Sequence, residues 1–156
     1  MILKDKDIIE MAKKGELIMM GFNESNVTPN GYDISFDVTM STPIVPAEFH
    51  GAVFISNEYF KMPNDVIGTL WLKSRYCRAG AWGSFGLVDA GFEGNLSVTL
   101  FNMPIGLPAG VIPLVQIVFE KLDGSVDKAY AERSGHYQQS KSKEKVADPE
   151  YKLIDF

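Results

Sequence analysis

Gly31-Tyr32-Asp33-Ile34-Ser35-Phe36-Asp37-Val38-Thr39-Met40-Ser41 is the stretch on which the fold turns. Ile34, Phe36, Val38 and Met40 alternate with Ser35, Asp37, Thr39 and Ser41. Successive side chains of a strand point to opposite faces, so a period of two marks a half-buried strand. The turn signal Pro29-Asn30-Gly31 opens it. Upstream the period is different. Ile8, Ile9, Met11 and Ala12 share one helical face, Asp5 or Asp7 can cap it and Gly15 can stop it, which predicts a short N-terminal helix. Downstream the spacing predicts short strands over 43–47, 52–56, 66–73, 84–88, 95–102 and 113–121. Turn signals separate them at Pro46, Asn57-Glu58, Pro63-Asn64-Asp65, Gly80, Gly91 to Gly94, Pro104 to Gly106 and Pro108 to Gly110. Short strands repeating every ~8–12 residues, with no long amphipathic helix between them, point to a β-sandwich or barrel.

A chain of 156 residues is the length of one domain. With 46% hydrophobic and 22% charged residues it is not a disordered or collagen-like sequence. No apolar run reaches the ~18 residues of a membrane span, and Met1 to Asp7 lack a signal-peptide apolar stretch, so no membrane partner is expected. Cys77 is alone, cannot form an internal disulfide and fits a reducing cytoplasm. A net charge of −5 disfavours coating a polyanion, so nucleic acid is not an expected partner either. Strongly apolar residues thin out from Asp123 onward, and Ser140 to Lys145 has almost none. The chain therefore divides into a β domain with its helix over 1–122 and a tail or arm over 123–156. A frayed end is one reading of that tail; an arm that orders over a ligand or a neighbouring subunit is the other.

Several chemistries are missing. There is no phosphate loop of the Gly-x-x-x-x-Gly-Lys-Ser/Thr type, no Gly-x-Gly-x-x-Gly and no Gly-x-Ser-x-Gly elbow. His50 and His136 lack metal-ligand spacing, and a single cysteine excludes the Cys-x-x-Cys signature of zinc deaminases. Three features remain. Lys73-Ser74-Arg75-Tyr76-Cys77-Arg78-Ala79-Gly80 gathers three cations and a hydroxyl in an otherwise acidic chain. Such a set can hold a polyphosphate, since arginine forks match phosphate oxygens; a solvated strand end is the plainer reading. Leu87-Val88-Asp89-Ala90-Gly91-Phe92-Glu93-Gly94 takes an acid out of an apolar strand into a glycine turn with an aromatic at its tip. Glycines let backbone approach a ligand, Phe92 can pack on a base or sugar, and a partly buried Asp89 suits a general base. A hairpin turn with a structural aspartate accounts for the same residues. In Asn30-Gly31-Tyr32-Asp33-Ile34, Asp33 opens the first long strand and is most simply a turn cap.

Taken together, these segments resemble the dUTPase and dCTP deaminase superfamily. Asn30 to Ile34 resembles its first motif, Lys73 to Gly80 its serine-centred phosphate motif with the second arginine of the deaminase branch, and Gly86 to Asn95 its third, continued by Val98-Thr99-Leu100-Phe101-Asn102. Pro113-Leu114-Val115-Gln116-Ile117 resembles the fourth. The opening helix and His136-Tyr137-Gln138-Gln139 are more similar to the deaminase branch.

The resemblance implies a mainly β fold, a distorted jelly roll or β-clip barrel with a short N-terminal helix, assembled as a homotrimer with active sites between subunits. It implies a deoxynucleoside triphosphate as substrate and Mg²⁺ bound by that triphosphate. Asp89 would be the base and Gln116 would join it in the catalytic set. Lys73, Ser74, Arg75, Arg78, Gly86, Phe92, Gly94, Tyr137 and Gln138 would bind substrate, and Asp33 would support the metal through water. Deaminases of the superfamily carry a glutamate ten residues after the motif-three aspartate, and here that position is Thr99. The expected activity is therefore dUTP diphosphatase, with dCTP deaminase, alone or coupled to phosphate hydrolysis (producing dUTP or dUMP), or a silent nucleotide-binding homologue as alternatives. The sequence departs from the dUTPase pattern at Phe92, where tyrosine is usual, at Lys73 for arginine and at Arg75 for a small residue, and it lacks the glycine-rich fifth motif.

Overall fold

The computed structural model describes residues 1–43, 50–133, 135 and 137–139. The opening helix α1 (Asp5–Lys13) buries Ile8 and Ala12. Its cap is Lys4, with no side-chain bond; Asp5 and Asp7 instead lie in the first turn, where a negative charge favours the helix dipole. Ten strands follow among the described residues: β1 (Leu17–Met20), β2 (Val27–Thr28), β3 (Gly31–Asp37), β4 (Thr42–Pro43), β5 (Gly51–Lys61), β6 (Val66–Leu72), β7 (Trp82–Ser84), β8 (Leu87–Val88), β9 (Glu93–Phe101) and β10 (Val111–Lys121). Two short helices complete the set, α2 (Ser74–Arg78) and α3 (Tyr130–Arg133).

Every strand pair is antiparallel, in the order β7-β9-β5-β3-β10-β6-β8. β1 and β4 also pair with β5, and β2 with β3. The join between β3 and β5 is a single partner pair, Phe36 and Ser56. The curled sheet thus behaves as two faces hinged at that pair. Between them lie Tyr32, Ile34 and Phe36 from β3, Phe54 and Phe60 from β5, Leu96, Val98 and Leu100 from β9, and Leu114, Ile117 and Phe119 from β10. Each large apolar side chain taken wholly out of water contributes roughly 2–3 kcal/mol before chain entropy is counted. This is the mainly β, jelly-roll-like architecture that the alternation and the motifs predict.

The expected alternation stops early. β3 ends at Asp37, whose carboxylate accepts from the Thr39 N–H and hydroxyl and starts a 3₁₀ turn over Val38–Met40, leaving Met40 exposed. Asn57-Glu58 is not a turn. β5 runs through it with a register shift between Ile55 and Tyr59, a bulge that buries Glu58, Tyr59 and Phe60 in succession. The predicted strand over 84–88 divides at Phe85-Gly86 into β7, paired with β9, and β8, paired with β6. These are the two ends of the sheet path, so the chain crosses the open side of the barrel in two residues. Of the strand expected over 43–47, residues 44–47 lie outside the described residues, as do His136 and the polar run 140–145.

Candidate active site

The phosphate-motif residues stand on α2, directly after β6. Lys73 keeps an extended backbone (φ −60°, ψ 134°) and its N–H donates to Leu114 O, which holds the end of β6 on β10. Tyr76 anchors the helix. It is buried, and its hydroxyl donates to Pro113 O at 3.2 Å. Burial pushes its hydroxyl pKa up, against the lowering effect of Arg75. Ser74, Arg75 and Arg78 are exposed around that anchor. The Arg75 guanidinium lies 4.8 Å from the centre of the Tyr76 ring, so its side chain folds back over its neighbour.

Lys73 and Asp33 form a partly buried ion pair with each other. Asp33 faces Gln116 across β3 and β10, and Gln116 faces Trp71 across β10 and β6. Gln116 Nε2 donates to the Thr28 hydroxyl at 2.8 Å. The structure thus brings Asp33, Lys73 and Gln116 onto one face, with Lys73 and Asp33 engaged by each other. Among the described residues no group of three His, Cys, Asp or Glu side chains is placed to hold a metal ion.

Asp89 follows β8. Val88 points inward and Asp89 outward, so the carboxylate is exposed, in contrast to the partial burial expected for it. It opens on a cleft of about 390 Å³ whose wall includes Ile67, Val126, Lys128, Tyr130 and Arg133. Phe92, expected at the tip of an open turn, is buried. Its ring lies steeply inclined to that of Tyr130 with centroids 5.5 Å apart, and its burial leaves little of it open to a sugar in this arrangement. Gly86 is exposed in the crossing between β7 and β8, and Gly94 is buried in β9.

The Asp89 turn is tied to the segment that follows β10. Tyr130 N–H donates to Ala90 O at 3.1 Å. Gly91, at φ +80°, passes so close that a Cβ there would stand 2.7 Å from the Ala129 methyl. The Gln138 carboxamide accepts from Glu93 N–H at 3.1 Å and donates to Gly91 O at 3.2 Å. Tyr137 is exposed, and its N–H donates to the Tyr130 hydroxyl. Sequence reasoning passed over Val126, Lys128, Tyr130 and Arg133. Their signal was faint: one aromatic in a polar run, with no periodicity to place it.

Asp89 and the Ser74–Arg78 cluster do not meet within one chain. Val88 pairs with Gly68, which sets Asp89 beside Ile67 near the start of β6, whereas Ser74 lies beyond its end. Residues 67 to 74, at about 3.3 Å per residue, separate the two by about 20 Å.

A curled antiparallel sheet carrying four ordered motifs defines the class of fold, and relatives give it a family. A dCTP deaminase of Pyrococcus horikoshii is 33% identical over 139 residues, 80% of this chain and 86% of the relative. One from Thermococcus kodakarensis is 34% identical over 140 residues, 81% of this chain and 88% of the relative. One from Korarchaeum cryptofilum is 30% identical over 168 residues, 88% of this chain and 93% of the relative. The chain belongs to the dCTP deaminase family, within the superfamily its motifs resemble. A solved structure, the 2′-deoxycytidine 5′-triphosphate deaminase from Agrobacterium tumefaciens, shares the fold with a TM-score of 0.57 at 19% identity, over 77% of this chain and 47% of that one. No protein-family model matches the sequence.

Proposed function

We propose that the protein hydrolyses dUTP to dUMP and pyrophosphate. The observation that carries this reading is the environment of position 99. In the superfamily's deaminases that place holds the glutamate that takes a proton from water attacking the cytosine ring. Here it is Thr99, whose cross-strand partners are Val53 and Ser84, neither of them an acid. Glu93 does not stand in for it. It lies six residues back along β9, about 20 Å at strand spacing, and its carboxylate accepts from the Tyr59 hydroxyl. A threonine hydroxyl is far too weak a base for that step.

In the proposed reaction Asp89 accepts a proton from a bound water. The resulting hydroxide attacks the α-phosphorus in line, the bond from that phosphorus to the bridging oxygen breaks, and pyrophosphate leaves. An exposed carboxylate at the edge of a cleft can reach such a water without a desolvation cost. Mg²⁺ carried by the triphosphate would neutralise part of its charge. Because about 20 Å separates Asp89 from Ser74 within one chain, the cations that hold those phosphates come from a second copy. A homotrimer with sites between subunits satisfies that requirement.

Deamination of dCTP is the second reading, and the names of the relatives favour it. One incubation with dUTP, dCTP, dTTP and UTP in Mg²⁺ separates the two. Pyrophosphate from dUTP without ammonia from dCTP is the expected result. Ammonia from dCTP assigns the second reading.

A further inference from the structure

Gln138 stands in a motif whose resemblance implies substrate binding, yet both ends of its carboxamide are bonded to the chain itself. Oε1 accepts from Glu93 N–H at 3.1 Å, and Nε2 donates to Gly91 O at 3.2 Å. Beside it, Gln139 N–H donates to Glu93 O at 2.6 Å. These bonds complete the main chain of the turn. Gly91 N–H already donates to Pro63 O, Phe92 N–H to Asp89 O, and Phe92 O accepts from Met62 N–H. On the other side of the turn, Tyr130 N–H donates to Ala90 O, and the Tyr130 ring packs on Phe92. Tyr130 and Gln138 are linked in turn, since Gly135 N–H donates to Tyr130 O and Tyr137 N–H to the Tyr130 hydroxyl.

The described residues of this segment, 129–133, 135 and 137–139, therefore form a strap that grips the Asp89 turn at two points: Tyr130 on Ala90 and Phe92, and Gln138 with Gln139 on Gly91 and Glu93. Of these grips, Gln138 alone uses a side chain that satisfies a donor and an acceptor at once. Tyr130 and Arg133 of the strap supply wall to the cleft on which Asp89 opens. We propose that Gln138 is a positioning residue: it latches the C-terminal strap onto the Asp89 turn and so fixes the cleft in which Asp89 works, without itself contacting substrate. A hydrogen-bonded support of this kind matters because a displacement of about 1 Å at a reacting group can cost ~10²-fold in rate.

The proposal separates a latch from a ligand, and its kinetic arm rests on the proposed hydrolysis of dUTP. The test compares the full chain with Gln138→Ala and Gln138→Glu, first without nucleotide by amide hydrogen exchange, then by steady-state kinetics with dUTP and Mg²⁺ well below the melting temperature. Glu93 N–H is expected to exchange faster in Gln138→Ala, while Gln138→Glu, which keeps the acceptor, retains its protection. With dUTP, Gln138→Ala is expected to lower kcat by ~10- to 100-fold with KM little changed, because the base and not the binding is misplaced. Unchanged exchange at Glu93 in Gln138→Ala overturns the latch, whichever reaction the protein catalyses. A raised KM at unchanged kcat also overturns it and makes Gln138 a substrate ligand. If wild-type protein releases no pyrophosphate from dUTP, the proposed function fails, and the exchange measurement decides the latch by itself.

Discussion

A glutamate without exposed surface occupies the bulge of β5. The carboxylate of Glu58 accepts from the Ser35 N–H and hydroxyl and from the Tyr32 hydroxyl. Burial raises its pKa above the ordinary value of 4.5, and the bonds from Ser35 offset part of that rise. Burial, with the charge of Glu58 second, pushes the Tyr32 hydroxyl up as well. The folded chain holds the Glu58 proton more tightly than the unfolded chain does. The stability Glu58 contributes is therefore fully present below pH 4.5 and is lost as pH rises through the raised folded value. Denaturant unfolding of Glu58→Gln measured across that window should show a shallower loss of stability with rising pH than wild type. Parallel curves for the two proteins would contradict this. Nothing in the sequence marks Glu58 as buried. Asn57-Glu58 reads as a turn because both residues are polar, and only the bulge, a register effect set by pairing with β9, turns the acid inward. Asp89 shows the converse. Its place after an apolar pair suggested burial, and the alternation of β8 carries it outward.

At the level of elements, the strands whose alternation is long were legible. β3, β6, β9 and β10 fall where periodicity put them, within a few residues, because one face of each meets the core. β1, β2, α2 and α3 were not. Two to five residues are too few to show a period, and these elements exist through tertiary contacts. α2 is the clearest case. Its sequence Ser-Arg-Tyr-Cys-Arg reads most plainly as a solvated strand end, and what makes it a helix in place is Tyr76, driven into the core and bonded to Pro113 O. Tyr76→Phe keeps the ring and should cost about 0.5–1.5 kcal/mol for the lost bond. Tyr76→Ala should cost about 3–5 kcal/mol and, where the chain still folds, weaken nucleotide affinity by releasing Ser74 and Arg78. Thermal unfolding and nucleotide titration of the pair check this; equal losses for the two variants would show that the ring does not anchor the helix.

Across the whole molecule, the order of motifs was legible in the sequence but their placement was not. Four segments that read as one site divide into two groups, because β6 runs between them: Asp89 beside its beginning, and α2 at its far end together with Asp33, Lys73 and Gln116 on the sheet face. No local pattern encodes that distance; it follows from strand register. The most direct test of the shared site uses two variants that each break one half. Asp89→Asn should bind dUTP and lose ~10²–10⁴-fold in pyrophosphate release, the usual size of a general-base effect. Ser74→Ala should be impaired through phosphate binding instead. Co-assembled in equal amounts, the two chains should recover about a quarter of wild-type activity, since one site in four draws an intact Asp89 and an intact Ser74 from different copies of a symmetric oligomer. Full pyrophosphate release by Asp89→Asn alone, or no recovery in the mixed assembly, would contradict a carboxylate from one copy acting on phosphates held by another.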